Sequence, residues 1–211
     1  MGNGIAHRER LALAESLRAA GPRQSTLCGD WDTAHLAAHL VLRDTRPDLQ
    51  LETLVRRGGG RLPQALDALA AGTAYPRLVD RVRRGPAISP ARITAIDDAM
   101  NSAEFAVHHE DVRRAVPGWV PRALPADLTA GLWRGLAVLS RLGGRALRMP
   151  TVLADHESRT RTIRPGTDPV VVTGAPLELA LFLTGRTGVA QVELSGPAEK
   201  VQALRETTFA L

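Results

Sequence analysis

Glu104 and His108 stand four residues apart in NSAEFAVHHEDVRR, a run free of glycine and proline. On a helix that spacing puts a carboxylate and an imidazole on one face, a turn apart, where both can reach one cation without disturbing the backbone. A third donor has to come from another element. His39 offers one: Leu36, Ala37 and Leu40 surround it, so it lies on or beside an inward-facing stripe. A ring buried there without a partner costs on the order of 1–3 kcal/mol, so it needs something to bind. His35 lies a turn earlier on the same helix and has a comparable claim. Two histidines and one carboxylate leave zinc's fourth position open, which is the arrangement of a catalytic rather than a structural site. An ion so held lowers the pKa of a bound water or thiol and acts as a Lewis acid. The same spacings also fit a hydrogen-bonded core histidine and a solvent-facing Glu–His pair. His109 and Glu110 are rotated by about 100° and 200° from His108, toward solvent or a neighbouring element.

The remaining reactive residue types have plainer readings. Cys28 is the sole cysteine, which excludes an intrachain disulfide and a cysteine-rich metal site. A small buried hydrophobe is the preferred reading of Cys28 over a reactive thiol. Trp31 reads as a packing residue at a helix entry. Gly58-Gly59-Gly60 lacks the strand before it and the Lys-Ser/Thr after it that a phosphate-binding loop requires, and reads as a joint. Asp97-Asp98 read as exposed charge in the first half of a helix. The formal charge of +5 comes almost wholly from arginine, Lys200 being the only lysine. No aromatics interleave with the short clusters Arg81/Arg83/Arg84 and Arg113/Arg114. That argues against nucleic acid as a partner and for small anionic molecules. The chain opens without the apolar stretch of a secretory signal, and no run approaches the roughly 18 apolar residues of a membrane span. A cytoplasmic protein with no membrane partner is expected.

Helical periodicity and its breakers supply the elements that must position these residues. A helix over residues 5–20 stops at Gly21-Pro22. A second, capped by Asp32 or Thr33, carries Leu36, Ala37, Leu40 and Val41 and ends near Arg46-Pro47. A short helix over 49–57, one starting at Pro63 and one over 76–84 follow. The longest helix opens at Ser89-Pro90 and runs to about Ala115, carrying Glu104 and His108. The texture then changes. One helix over 126–143 precedes β-rich runs at 149–154, 159–164 and 170–173. A helix from Pro176 to Gly185, a strand over 190–194 and a last helix over 197–205 complete the chain. A helical half followed by alternating strands and helices predicts an α+β chain of two domains, 1–120 and 121–211.

Two stretches also carry a family resemblance. LCGDWDTAHLAAHLVLRD and AEFAVHHEDVRRA resemble the signature segments of the mycothiol-dependent maleylpyruvate isomerase-like proteins, which belong to the DinB-like metal-binding four-helix bundles. The tail PLELALFLTGR…VELSGPAEKVQAL is similar to the small α/β domain that follows the bundle in that family. The resemblance spans nearly the whole chain, although residues 48–92 carry no matching signature. It implies a DinB-like four-helix bundle over 1–120 and a small α/β domain over 121–211. It also implies a metal set of His39, Glu104 and His108, in Trp31…Leu36-Ala37-Ala38-His39-Leu40 and ahead of Asp111-Val112, with His35 off the pattern. The implied ion is divalent, zinc foremost. The implied cofactor is mycothiol, a low-molecular-weight thiol bound as thiolate, and the implied partner is a small-molecule substrate. An arginine of the α/β domain assists catalysis in isomerase-type members. Arg186 in Leu183-Thr184-Gly185-Arg186 is the candidate, with Arg43 and Arg46 as rivals. The expected activity is thus a metal- and thiol-dependent transferase or isomerase. A hydrolase using activated water and a non-catalytic, metal-stabilised interaction module are the alternatives.

Overall fold

The computed structural model describes residues 4–49, 52, 60–86 and 94–209, the side chains of 94–97, 99 and 100 apart. The helix expected over 49–57 lies for the most part outside the described residues, as do Gly58-Gly59 and the Ser89-Pro90 start of the longest expected helix, which is described from Thr94. The chain divides into two compact units, Met1–Pro121 and Arg122–Leu211.

Five described helices make up the first unit: α1 (Ile5–Ala20), α2 (Thr33–Thr45), α3 (Leu62–Gly72), α4 (Tyr75–Arg84) and α5 (Thr94–Arg113). Apolar residues at helical spacing drive their assembly. Leu13, Ala14 and Leu17 of α1, Leu36, Leu40 and Val41 of α2, Leu78, Val79 and Val82 of α4, and Phe105 and Val112 of α5 close into one core. The result is a four-helix core, with α3 packed on the outer side of α2 through Leu66, Ala38 and Leu42. The helix starts follow local chemistry. Asp32 caps α2 by accepting the backbone N–H of His35 at 3.0 Å. Proline occupies the first turn of α3 and of α4, where no intrahelical donor is lost. Asp98 of α5 accepts the Ala6 N–H at 2.8 Å, so it holds the start of α1 and is not simply exposed charge.

Buried charge ties the bundle together in pairs. Arg10 meets Asp44 across α1 and α2, with side-chain exposures of 4% and 8%, and its guanidinium lies 4.3 Å from the Phe105 ring. His109 bridges Glu9 and Ser16, at 2.8 Å on each ring nitrogen. Glu110 accepts from Arg114 at 2.6 Å and from Arg113 at 3.0 Å, and Arg114 lies 4.3 Å from the Trp119 ring. Both residues expected toward solvent or a neighbour therefore face neighbours and are buried.

The second unit contains α6 (Ala126–Gly143), β1 (Thr151–Ala154), β2 (Thr160–Arg164), β3 (Val170–Thr173), α7 (Pro176–Leu183), β4 (Glu193–Ser195) and α8 (Ala198–Arg205). The strands form one sheet in the order β2-β1-β3-β4, with β1 and β3 parallel and the two edge strands antiparallel to their neighbours. All residues of α7 are buried, and α7 packs on α6. The approach is close at Gly143, where a Cβ would stand 2.5 Å from the Leu183 carbonyl oxygen. The last strand lies later than the expected 190–194. Ala190 N–H turns back to the Arg186 carbonyl at 3.0 Å, and Gln191 N–H is taken by the buried Glu178 carboxylate at 2.8 Å. Only Glu193–Ser195 remain to pair with β3. The fold is thus α+β, a helical unit followed by a small α/β unit.

Candidate metal centre

The inward stripe of α2 carries His39 to the face of α5 that bears Glu104 and His108. His39 Nε2 lies 3.5 Å from Glu104 Oε1, and His108 Nε2 lies 3.3 Å from the same oxygen. The two imidazole rings meet edge to face, 5.2 Å between centroids, and the Trp31 ring lies 5.2 Å from His39 on another side. Donor atoms of His39, Glu104 and His108 all fall within 4.8 Å of one another.

The donor set fits a small divalent cation. Charge-assisted hydrogen bonds close to about 2.7–2.9 Å, and both His–Glu separations are longer than that. Ligands held at about 2.0–2.1 Å around a tetrahedral ion would stand roughly 3.3–3.4 Å apart, close to the two separations of 3.3 and 3.5 Å between Glu104 and the histidines. His39 Nδ1 is buried and has no hydrogen-bond partner among the described residues.

Charge is balanced closely at this point. Burial pushes the Glu104 carboxyl up, yet hydrogen bonds with His108 and His39 and the Arg43 charge outweigh it and hold it well below the usual carboxylate range. Burial pulls His108 down, but hydrogen bonds with Asp111, Cys28 and Glu104 prevail and hold its pKa well above the ordinary value. For His39, burial wins and its pKa is lowered. One imidazole therefore readily stays neutral while the other clings to a proton.

A second ring of contacts positions these groups. Asp111 Oδ2 lies 2.8 Å from His108 Nδ1 and fixes that ring with Nε2 toward Glu104. Cys28 donates to the same Asp111 oxygen at 3.0 Å and lies 3.7 Å from His108 Nδ1. The preferred reading of Cys28 as a plain buried hydrophobe is therefore incomplete: it is half-buried and hydrogen-bonded. Arg43 Nε lies 3.1 Å from Glu104 Oε1, and its guanidinium also reaches Asn101 Oδ1 at 2.5 Å. The spacing of His108 and Asp111, three apart on one helix, could have exposed the aspartate's role. No local signal could have exposed that of Cys28.

Other expected residues fall elsewhere. His35 is held by Asp32, 2.7 Å from its Nδ1, and its Nε2 lies 3.8 Å from Asp67 on α3. Arg46 pairs with Asp48 at the surface. Arg186 belongs to the second unit. It follows Gly185, whose positive φ of 85° turns the chain out of α7, and its guanidinium donates to the Thr184 carbonyl.

A helical bundle with a two-histidine, one-carboxylate cluster among its helices, followed by a small α/β unit, defines the class of protein. Its fold is similar to that of the mycothiol-dependent maleylpyruvate isomerase. A crystal structure of a histidine-to-alanine mutant of that enzyme matches with a TM-score of 0.53 at 18% identity, covering 90% of each chain. A second crystal structure of the enzyme gives 0.47 at 19% identity, again over 90% of each chain. No protein-family profile matches the chain, and no curated protein matches it significantly. Among the described residues no helix is long and apolar enough to cross a membrane.

Proposed function

We propose that this chain is a cytoplasmic, divalent-metal-dependent enzyme, a transferase or isomerase that uses mycothiol on a small-molecule substrate, with zinc as the ion. The observation that carries the reading is the convergence of His39, Glu104 and His108 within a helical core, with Glu104 Oε1 3.5 and 3.3 Å from the two Nε2 atoms. The fold likeness to an isomerase described as mycothiol-dependent supports the choice of thiol. A bound divalent ion supplies Lewis acidity and keeps a thiol deprotonated near neutral pH. His39 and His108 would hold the ion through Nε2 and Glu104 through its carboxylate. Asp111 orients His108, and Arg43 steadies Glu104. Arg186 would position the anionic part of the substrate.

Cobalt substitution tests the thiol. Adding mycothiol to the cobalt-loaded Cys28→Ser protein is expected to produce intense sulfur-to-cobalt charge-transfer absorption. Arg186→Ala should retain metal and thiol binding and lose turnover. A cobalt spectrum unmoved by saturating mycothiol would reject the thiol and favour metal-activated water.

Proton linkage provides a second check. An ion can take His108 Nε2 only from a ring that has given up a proton, and that ring holds its proton well above the ordinary histidine range. Apparent metal affinity should therefore climb as pH rises from 6 toward 8 by roughly the linkage slope of up to tenfold per unit. Isothermal titration at several pH values measures the slope, and a flat profile would mean that no proton leaves on binding.

A further inference from the structure

The His108 ring has two edges, and only one of them faces Glu104 and His39. On the other, Nδ1 lies 2.8 Å from Asp111 Oδ2 and 3.7 Å from Cys28 Sγ, with Sγ 3.0 Å from that same carboxylate oxygen. Donor atoms of Cys28, His108 and Asp111 all lie within 4.8 Å of one another. They come from separate parts of the chain, the loop before α2 and the last turns of α5. The loop is anchored where it needs to be. Leu27 N–H donates to the Asp111 carbonyl at 3.1 Å, and Cys28 N–H donates to Thr26 Oγ1 at 3.1 Å. The loop that carries the thiol is thus tied by a backbone bond to the residue whose carboxylate it meets. Cys28 is only half-buried, while Asp111 is fully buried.

The chemistry of this set differs from that of its neighbour. Two imidazoles and a carboxylate suit a borderline ion, whereas a thiolate among the ligands selects soft, polarizable cations. We propose that Cys28, His108 through Nδ1, and Asp111 form a second metal position, one that takes a thiophilic divalent cation of the cadmium kind. Binding replaces waters of the aqueous ion by sulfur, nitrogen and oxygen. The Cys28 thiol proton and the His108 Nδ1 proton leave to solvent, so the charge of the ion is met by two released protons. His108 keeps a proton on Nε2, directed at Glu104. With Nε2 protonated, this position and the one between His39 and Glu104 are alternative uses of the same ring, so this one needs no ion at the other.

Metal-free His39→Ala protein separates the two positions, because it lacks a ligand of the first and none of the second. Titrating it with cadmium chloride should raise the ultraviolet sulfur-to-cadmium charge-transfer band to one equivalent. The band should be absent when Cys28→Ser is added. Asp111→Asn should weaken binding by tenfold or more, the equivalent of about 1.4 kcal/mol. In isotope-labelled His39→Ala protein, cadmium–nitrogen NMR coupling is expected to His108 Nδ1. This readout holds even if Asp111→Asn does not fold. A band that persists without Cys28, an Asp111→Asn affinity equal to that of its parent, or coupling to Nε2 or to no ring nitrogen would each overturn the second position.

Discussion

His108→Ala should purify without stoichiometric divalent metal. The substitution removes one of three clustered donors and also takes from the buried Asp111 carboxylate the ring that faces it. Losing only an outer partner of a metal ligand weakens binding by about 10–100-fold, so losing the ligand itself should exceed that range. His39→Ala should behave alike. Glu104→Gln should fall between these and the parent protein, since an amide oxygen still reaches the ion but brings no charge. His35→Ala should keep its metal, because Asp32 and Asp67 are the groups facing that ring. Elemental analysis of the purified variants, followed by competition with a chelator, ranks all four. Full metal retention in His39→Ala would pass the ligand role to His35, and Glu104→Gln indistinguishable from the parent would remove Glu104 from the set.

Glu110→Ala should destabilise the bundle strongly. The Glu110 and Arg114 side chains are both 0% exposed, joined at 2.6 Å, and the Arg114 guanidinium is pressed on Trp119. Removing the carboxylate leaves an arginine that cannot shed its proton inside the protein, and breaking such a buried pair costs about 3–5 kcal/mol. Arg113→Ala takes away a partner that is 24% exposed and should cost far less, within about 1 kcal/mol. Urea unfolding of the two variants measures both. A loss below about 1 kcal/mol for Glu110→Ala would show that the remaining surroundings of Arg114 compensate its charge without the carboxylate.

How much of this was readable beforehand depends on how far each contact reaches along the chain. The helices over 5–20, 126–143 and 176–183 and their stops follow from apolar spacing and from glycine and proline, which act within a few residues. Glu104 beside His108 is equally local, since a helix alone sets that neighbourhood. The sequence by itself also determined that a helical half precedes an α/β half, because period and β-branching change together after Pro121.

Tertiary structure decided the rest. His35 and His39 are four apart and share one face of α2, so periodicity treats them alike. They differ by about 6 Å along the helix axis, and only the packing of α2 against its neighbours sets which ring is level with Glu104. Asp32, in capping the helix, then captures His35. The partners of His109 and Cys28 lie 100 and 83 residues away, beyond any spacing rule. The edge strand β4 was displaced by a side chain, Glu178 of α7, which claims the Gln191 N–H that a strand over 190–194 would have needed. Residue order determines which groups a helix or turn can offer. Which of them meet is settled where separate helices press together and every buried donor and charge must find its partner.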